Sequence, residues 1–120
     1  MAIRALRGAT TVDADTQEQI EGRVTELVAQ MLQRNSVMHD NLISIFFTST
    51  ADVTSMFPAT AARAAGMGDV PLLCSQELSI DGGTPRCIRI LMHLNSEKAR
   101  EHLHHVYLHG AAGLRDDLPE

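Results

Sequence analysis

Aromatic rings are scarce in this 120-residue chain, which has no Trp, one Tyr and three Phe. A protein that holds single-stranded nucleic acid through stacked bases needs more rings than that. Positive charge is short as well: ten Lys and Arg stand against fifteen Asp and Glu, for a net charge of −5. That balance argues against nucleic acid or an anionic membrane as the main partner. Cysteine is limited to Cys74 and Cys87, too few and too far apart for a disulfide framework or a CxxC zinc site. No run approaches the roughly 18–20 apolar residues of a membrane span, and the start of the chain lacks a signal peptide's long apolar stretch. The expected setting is therefore the reducing cytoplasm. The length fits one domain over residues 1–120, with a core of Leu, Ile, Val, Met and Ala.

Lysine is nearly missing too, since Lys98 is the single one among the ten cations. The remaining cations are arginines, the side chain suited to bidentate pairing with carboxylates and phosphates. High-GC codon usage produces the same bias, so placement has to decide its meaning.

The apolar pattern predicts a first strand over Ala2–Arg7, broken by Gly8. Asp15, with Glu18 three residues on, has the form of a capping box. Ile20, Val24, Leu27, Val28, Met31 and Leu32 then recur at helical spacing up to Arg34 or Asn35. Leu42–Ser49 reads as a second strand, and Pro58 opens a short helix over Ala59–Ala65 that Gly66 ends. Val70–Gln76 is a third strand, and Asp81-Gly82-Gly83 a turn that pairs it as a hairpin with Arg86–Leu94. Ser96–His104 reads as a short helix or turn, His105–His109 as a last short strand, and residues 110–120 as a mobile tail. The order predicts an α+β fold, a mixed β-sheet with helices on one face.

Within Cys87–Leu94, the alternation of a strand puts Ile88, Ile90, Met92 and Leu94 on one apolar face and Arg89 on the other, between Cys87 and Leu91. A guanidinium cannot shed its charge, so a half-buried one needs a fixed anionic partner. Glu77 is one candidate, giving an internal salt bridge. The other reading gathers Arg7, Arg63, Arg89 and Arg115 with Glu77 around a dianionic small molecule. Oligomerisation through this mixed face would account for its composition. His102, His104, His105 and His109 raise the question of a metal. His105 and His109 are spaced for it only if helical, and Val106-Tyr107-Leu108 between them reads as strand, so no metal is expected.

Several short motifs, in order, give the chain a resemblance. They are Arg7-Gly8-Ala9-Thr10-Thr11, Phe57-Pro58-Ala59, Val70-Pro71, Cys74, Gln76-Glu77, Gly82-Gly83 and Cys87-Ile88-Arg89. His105-Val106-Tyr107-Leu108, Leu114-Arg115 and Asp117-Leu118 complete the series over residues 3–118. Together they resemble the small, monofunctional, trimeric class of chorismate mutase, as distinct from the all-helical class. The resemblance implies a homotrimeric pseudo-α/β barrel with sites between subunits. It also implies an intramolecular Claisen rearrangement of chorismate to prephenate, on the route to phenylalanine and tyrosine. No proton moves and no covalent intermediate forms in that reaction, so neither cofactor nor metal is implied.

The resemblance also implies roles. Arg89 would face the ether oxygen as its bond to carbon breaks, Arg7 would pair with a substrate carboxylate, and Glu77 would take the ring hydroxyl and orient Arg89. Cys74 and Tyr107 would add polar contacts, and Phe57, Ala59 and Leu114 an apolar wall. Arg63 and Arg115 would add positive potential at the mouth. Thr60 stands where some members carry lysine and Leu73 where some carry threonine, both at the edge of the site. Asp116 replaces a proline common after the terminal arginine. Two rival readings share the architecture: a trimeric binder of small anions without catalysis, and a structural trimer with Arg89 locked to Glu77.

Overall fold

The computed structural model describes residues 1–114. Strand β1 spans Ala2–Thr11, helix α1 Gln17–Arg34, β2 Leu42–Ser49, the short helix α2 Pro58–Ala62, β3 Leu72–Gln76, β4 Cys87–Ser96 and β5 Val106–Tyr107. Single turns of 3-10 helix lie at His39–Asn41, Arg100–His102 and His109–Ala111. The strands form one mixed sheet in the order β3-β2-β4-β1-β5. β4 runs antiparallel to β1 and β2, while β2–β3 and β1–β5 are parallel pairs. No described helix is long and apolar enough to cross a membrane.

Strand β1 continues through Gly8, which does not break it. A Cβ built on Gly8 would lie 2.5 Å from Met31 Sδ and 3.1 Å from Leu27 Cδ1. The glycine therefore lets α1 lie close against the sheet. Gly8→Ala is expected to destabilise the fold by about 1–3 kcal/mol, towards the low end if the thioether yields. Urea unfolding at fixed protein concentration checks this, and an unchanged midpoint would show that Met31 repacks freely.

Helix α1 is capped one residue later than its sequence implies. Thr16 holds the extended cap conformation, and its Oγ1 accepts the Gln19 N–H at 3.2 Å. Asp15 instead turns to the loop before α2, accepting the Thr54 and Ser55 N–H groups at 3.0 Å and the Thr54 hydroxyl at 2.6 Å. The Thr54 hydroxyl, the first of these influences, holds the Asp15 carboxyl below the usual carboxylate value. At the other end, Asn35 is buried and its amide donates to Met31 O at 2.9 Å and His104 O at 2.8 Å. Its Oδ1 accepts the His104 N–H at 2.6 Å, tying the helix end to the segment that leads into β5.

The apolar face expected of β4 is the buried one: Ile88, Ile90, Met92 and Leu94 are at most 2% exposed. They pack with Leu6, Ile45 and Phe47 of neighbouring strands against Ile20, Val24, Leu27 and Met31 of α1 and Ala61 and Ala62 of α2. Both helices thus cover one sheet face, as an α+β fold requires.

The expected β3–β4 hairpin does not form, because β2 lies between the two strands. The short helix α2 carries the chain from β2 to a parallel β3, and residues 77–86 then pass beyond β2 to reach β4. Asp52 fastens the far end of that connection. Its carboxylate accepts the Arg86 N–H, at 3.1 and 3.0 Å to the two oxygens, and the Thr50 hydroxyl. Arg86 turns there with φ of 46°. The helix predicted over Ala59–Ala65 ends earlier as regular α-helix and widens over Arg63–Met67, where Gly66 takes φ of 102°.

Candidate active site

The helix-free face of the sheet carries the candidate chemistry. Cross-strand register sets one row as Ser75, Thr48, Arg89, Ala9 and Tyr107, and the next as Leu73, Phe46, Leu91 and Arg7. Arg89 is therefore mid-sheet, with a hydroxyl on one side and the small Ala9 on the other. Glu77 lies just past β3, its N–H donating to Ser49 O at 2.8 Å, which turns the carboxylate in over Thr48.

Glu77 and Arg89 meet through Oε2 and Nε at 3.4 Å, with side chains 25% and 30% exposed. Arg89 Nε is buried and makes no hydrogen bond among the described residues. The internal partner considered for Arg89 is thus present, though the contact is an ion pair without a hydrogen bond. The Thr48 hydroxyl donates to the same Glu77 oxygen at 2.5 Å. These three residues line a hollow of about 340 Å³ together with Arg7, Phe46, Ile90 and Leu91. Arg7 is held through its backbone, its N–H donating to Nδ1 of the buried His105 at 2.9 Å.

Tyr107 is 4% exposed and belongs to a small cluster with Ala9, Cys87 and Ala111, against which Leu114 packs. This cluster closes the sheet face on the β5 side of Arg89. Burial pushes the Cys87 thiol up, with Arg89 pulling in the opposite direction. The start of the expected tail is docked here: the Gly110 N–H donates to Thr11 Oγ1 at 2.9 Å, and Ala111 is fully buried. Arg115 and Asp116 lie outside the described residues.

The other site residues expected from the sequence gather elsewhere. Phe57, 72% exposed, and Cys74 line a separate hollow of about 460 Å³ formed by the β2–α2 loop and the end of β3. Cys74 pairs with Phe47 in register, so it sits on the helix-covered side and not with Arg89. Ala59 is buried in α2, while Thr60 Oγ1 accepts from Nη2 of the exposed Arg63 at 3.1 Å. Leu73 is on the open face, 58% exposed beside Phe46. Within one chain, then, the set divides in two: Arg7, Glu77 and Arg89 with Tyr107 nearby, and Phe57, Ala59, Thr60, Arg63 and Cys74 around α2.

The histidines are dispersed. His109 Nε2 pairs with Glu26 Oε1 at 2.7 Å and His105 supports Arg7. Among the described residues no three His, Cys, Asp or Glu side chains come together as metal ligands. Thr48 is the residue that reading the sequence missed. Its signal was its alternation with Phe46 on β2, informative only once β2 is known to separate β3 from β4.

Comparison with known proteins shows the family. The model of the family "Chorismate mutase type I" matches residues 3–118. The chorismate mutase AroH of Thermus thermophilus is 44% identical over 117 residues, 97% of this chain and 96% of the relative. That of Bacillus subtilis is 35% identical over 119 residues, covering 98% and 94%. A solved chorismate mutase from Clostridium thermocellum superposes with a TM-score of 0.87 at 41% identity, over 90% of this chain and 96% of that one. The same fold, and identity at this level over nearly the full length, agree with one another, and the chain belongs to the type I chorismate mutase family.

Proposed function

We propose that the hollow at Arg89 is where this chorismate mutase rearranges its substrate, and that it does so with Arg89, Glu77 and Arg7. The observation that carries the assignment is the 3.4 Å Glu77–Arg89 pair, half-buried yet open to a hollow that also holds Arg7. Chorismate becomes prephenate by a [3,3] shift inside one molecule: one C–O bond breaks and one C–C bond forms. The two reacting ends meet only in a compact conformer. Arg7 pairs with a carboxylate to hold it, which lowers the entropic part of the barrier.

As the C–O bond lengthens ahead of C–C closure, negative charge collects on the ether oxygen. Arg89, fixed beside that oxygen, attracts the transition state more than the substrate, which is the condition for raising kcat. Glu77 accepts from the ring hydroxyl and keeps the guanidinium aimed. Tyr107 and Leu114 bound the site on the β5 side. Arg63 and Arg115 steer a dianion towards a protein whose net charge is −5.

The working unit is proposed to be a homotrimer, with each site shared by two chains. Leu73, Phe46 and Leu91, 58%, 41% and 39% exposed, form an apolar row on the open sheet face. An apolar row there is suited to burial against a second copy. The α2 group of one chain then faces the Arg89 hollow of its neighbour, reuniting the two halves of the site.

Purified protein given chorismate is expected to consume it and release prephenate far above the spontaneous rate. Light scattering is expected to give three times the 13.1 kDa chain mass. Prephenate at only the background rate would overturn the catalytic reading of this hollow, and a monomer mass would overturn the shared site.

A further inference from the structure

The Glu77–Arg89 pair has an unusual form for a carboxylate beside a guanidinium. Such pairs frequently close as a fork, two parallel N–H···O bonds at about 2.7–2.9 Å. Here they meet through one oxygen at 3.4 Å, and Arg89 Nε makes no hydrogen bond among the described residues. The Thr48 hydroxyl donates to that same oxygen, Glu77 Oε2, at 2.5 Å. Glu77's backbone is fixed at the same time, by its N–H bond to Ser49 O at 2.8 Å. Both contacts come from the end of β2, the strand that separates β3, which ends just before Glu77, from β4, which carries Arg89.

We infer that Thr48 is a positioning residue: its hydroxyl holds Glu77 Oε2 and keeps the carboxylate from closing as a fork on Arg89. A hydrogen bond to a carboxylate is charge-assisted and about twice as strong as one between neutral groups. Because the hydroxyl is neutral, it restrains Glu77 without adding a second cation to compete for the substrate. Arg89 then stays near its counter-ion, so its burial is tolerated, while its charge is not spent on a closed salt bridge. Glu77 itself lines the hollow, and its contacts with Thr48 and Arg89 both run through Oε2. This inference rests on the catalytic reading of Arg89 and Glu77 given above.

The test is a kinetic series on the full-length enzyme with chorismate. Thr48→Val keeps the β-branched shape a strand prefers and removes only the hydroxyl. It is expected to lower kcat about ten- to a hundredfold with KM changed less than about threefold. Thr48→Ser, which restores the donor, is expected to recover kcat to within about threefold of wild type. In a Glu77→Gln background, Thr48→Val is expected to add no further loss, because the carboxylate it acts through is gone. Should the valine variant fold poorly, Thr48→Ala carries the same expectation, with Thr48→Ser again the rescue.

Wild-type kcat in Thr48→Val, alongside large losses in Arg89→Ala and Glu77→Gln, would overturn the role of Thr48 and leave the site reading intact. A valine loss that persists undiminished in the Glu77→Gln background would also overturn it, since Thr48 would be acting elsewhere. If Arg89→Ala and Glu77→Gln themselves keep wild-type turnover, the site reading fails and takes this inference with it.

Discussion

Replacing Arg89 with alanine is expected to lower kcat about a thousandfold or more while KM moves far less. A single preorganised donor aimed at developing negative charge is worth roughly 3–4 kcal/mol, and a half-buried cation sits at the upper end. The asymmetry between kcat and KM follows from timing. The ether oxygen of bound chorismate carries little charge, and most of the interaction with Arg89 arises as the C–O bond opens. Citrulline, the neutral isostere, separates charge from shape. It keeps the planar shape and size but exchanges one NH2 arm for a carbonyl oxygen and removes the cation, so its loss is expected to approach that of alanine. Arg89→Lys restores a charge but not the fork, and its shorter point charge falls away from the position the guanidinium occupies, so rescue is expected to be partial. Steady-state kinetics on the three variants, with circular dichroism to verify folding, measures all of this. Equal losses in kcat and in ground-state affinity would refute a transition-state role.

The parts of this site that were legible in the sequence are those fixed by alternation along a single strand. Strand β2 falls on Leu42–Ser49 as expected, and β4 splits its residues between faces as a period of two demands. That placed Arg89 opposite the core. Glu77 was expected as its partner across a β3–β4 hairpin that does not form, and the two meet instead beside Thr48 of the intervening β2. Strand order was not legible, because a turn-like Asp81-Gly82-Gly83 is compatible with a hairpin or with a connection that passes over another strand. Without the order, Thr48 had no reason to be singled out. Gly8 and Asp15 misled for a related reason. Each has a local meaning, strand break or helix cap, and each is claimed instead by a distant partner, Met31 for the one and Thr54 for the other. Cys74 went to the other side of the sheet because one residue of register decides the face. Within a single chain Phe57 and Cys74 line one hollow and Arg7, Glu77 and Arg89 another, and the proposed trimer is what would bring them together.

Mixing two inactive variants is therefore expected to restore activity. Arg89→Ala removes the sheet-face half of the site. Phe57→Asp damages the other half by setting a carboxylate where a dianionic substrate must enter, and at 72% exposure Phe57 can be changed without disturbing the core. Each variant alone has every site defective. When the two are unfolded together in equal amounts and refolded, chains assort at random. A site drawing Arg89 from one chain and Phe57 from its neighbour is intact with a chance of one half times one half. About one quarter of the wild-type rate is expected to return, against a background of at most about one part in a thousand from the arginine variant. Mixing without unfolding gives no recovery if the trimers exchange slowly, which makes the rise itself a report of assembly. A refolded mixture no more active than its components would place both residues in one chain's site, or in no common site at all. The recovered fraction also fixes geometry that no single-chain measurement reaches. A value near one quarter requires that each site take one half from each of two neighbours, so that a subunit's α2 end serves the Arg89 of the next.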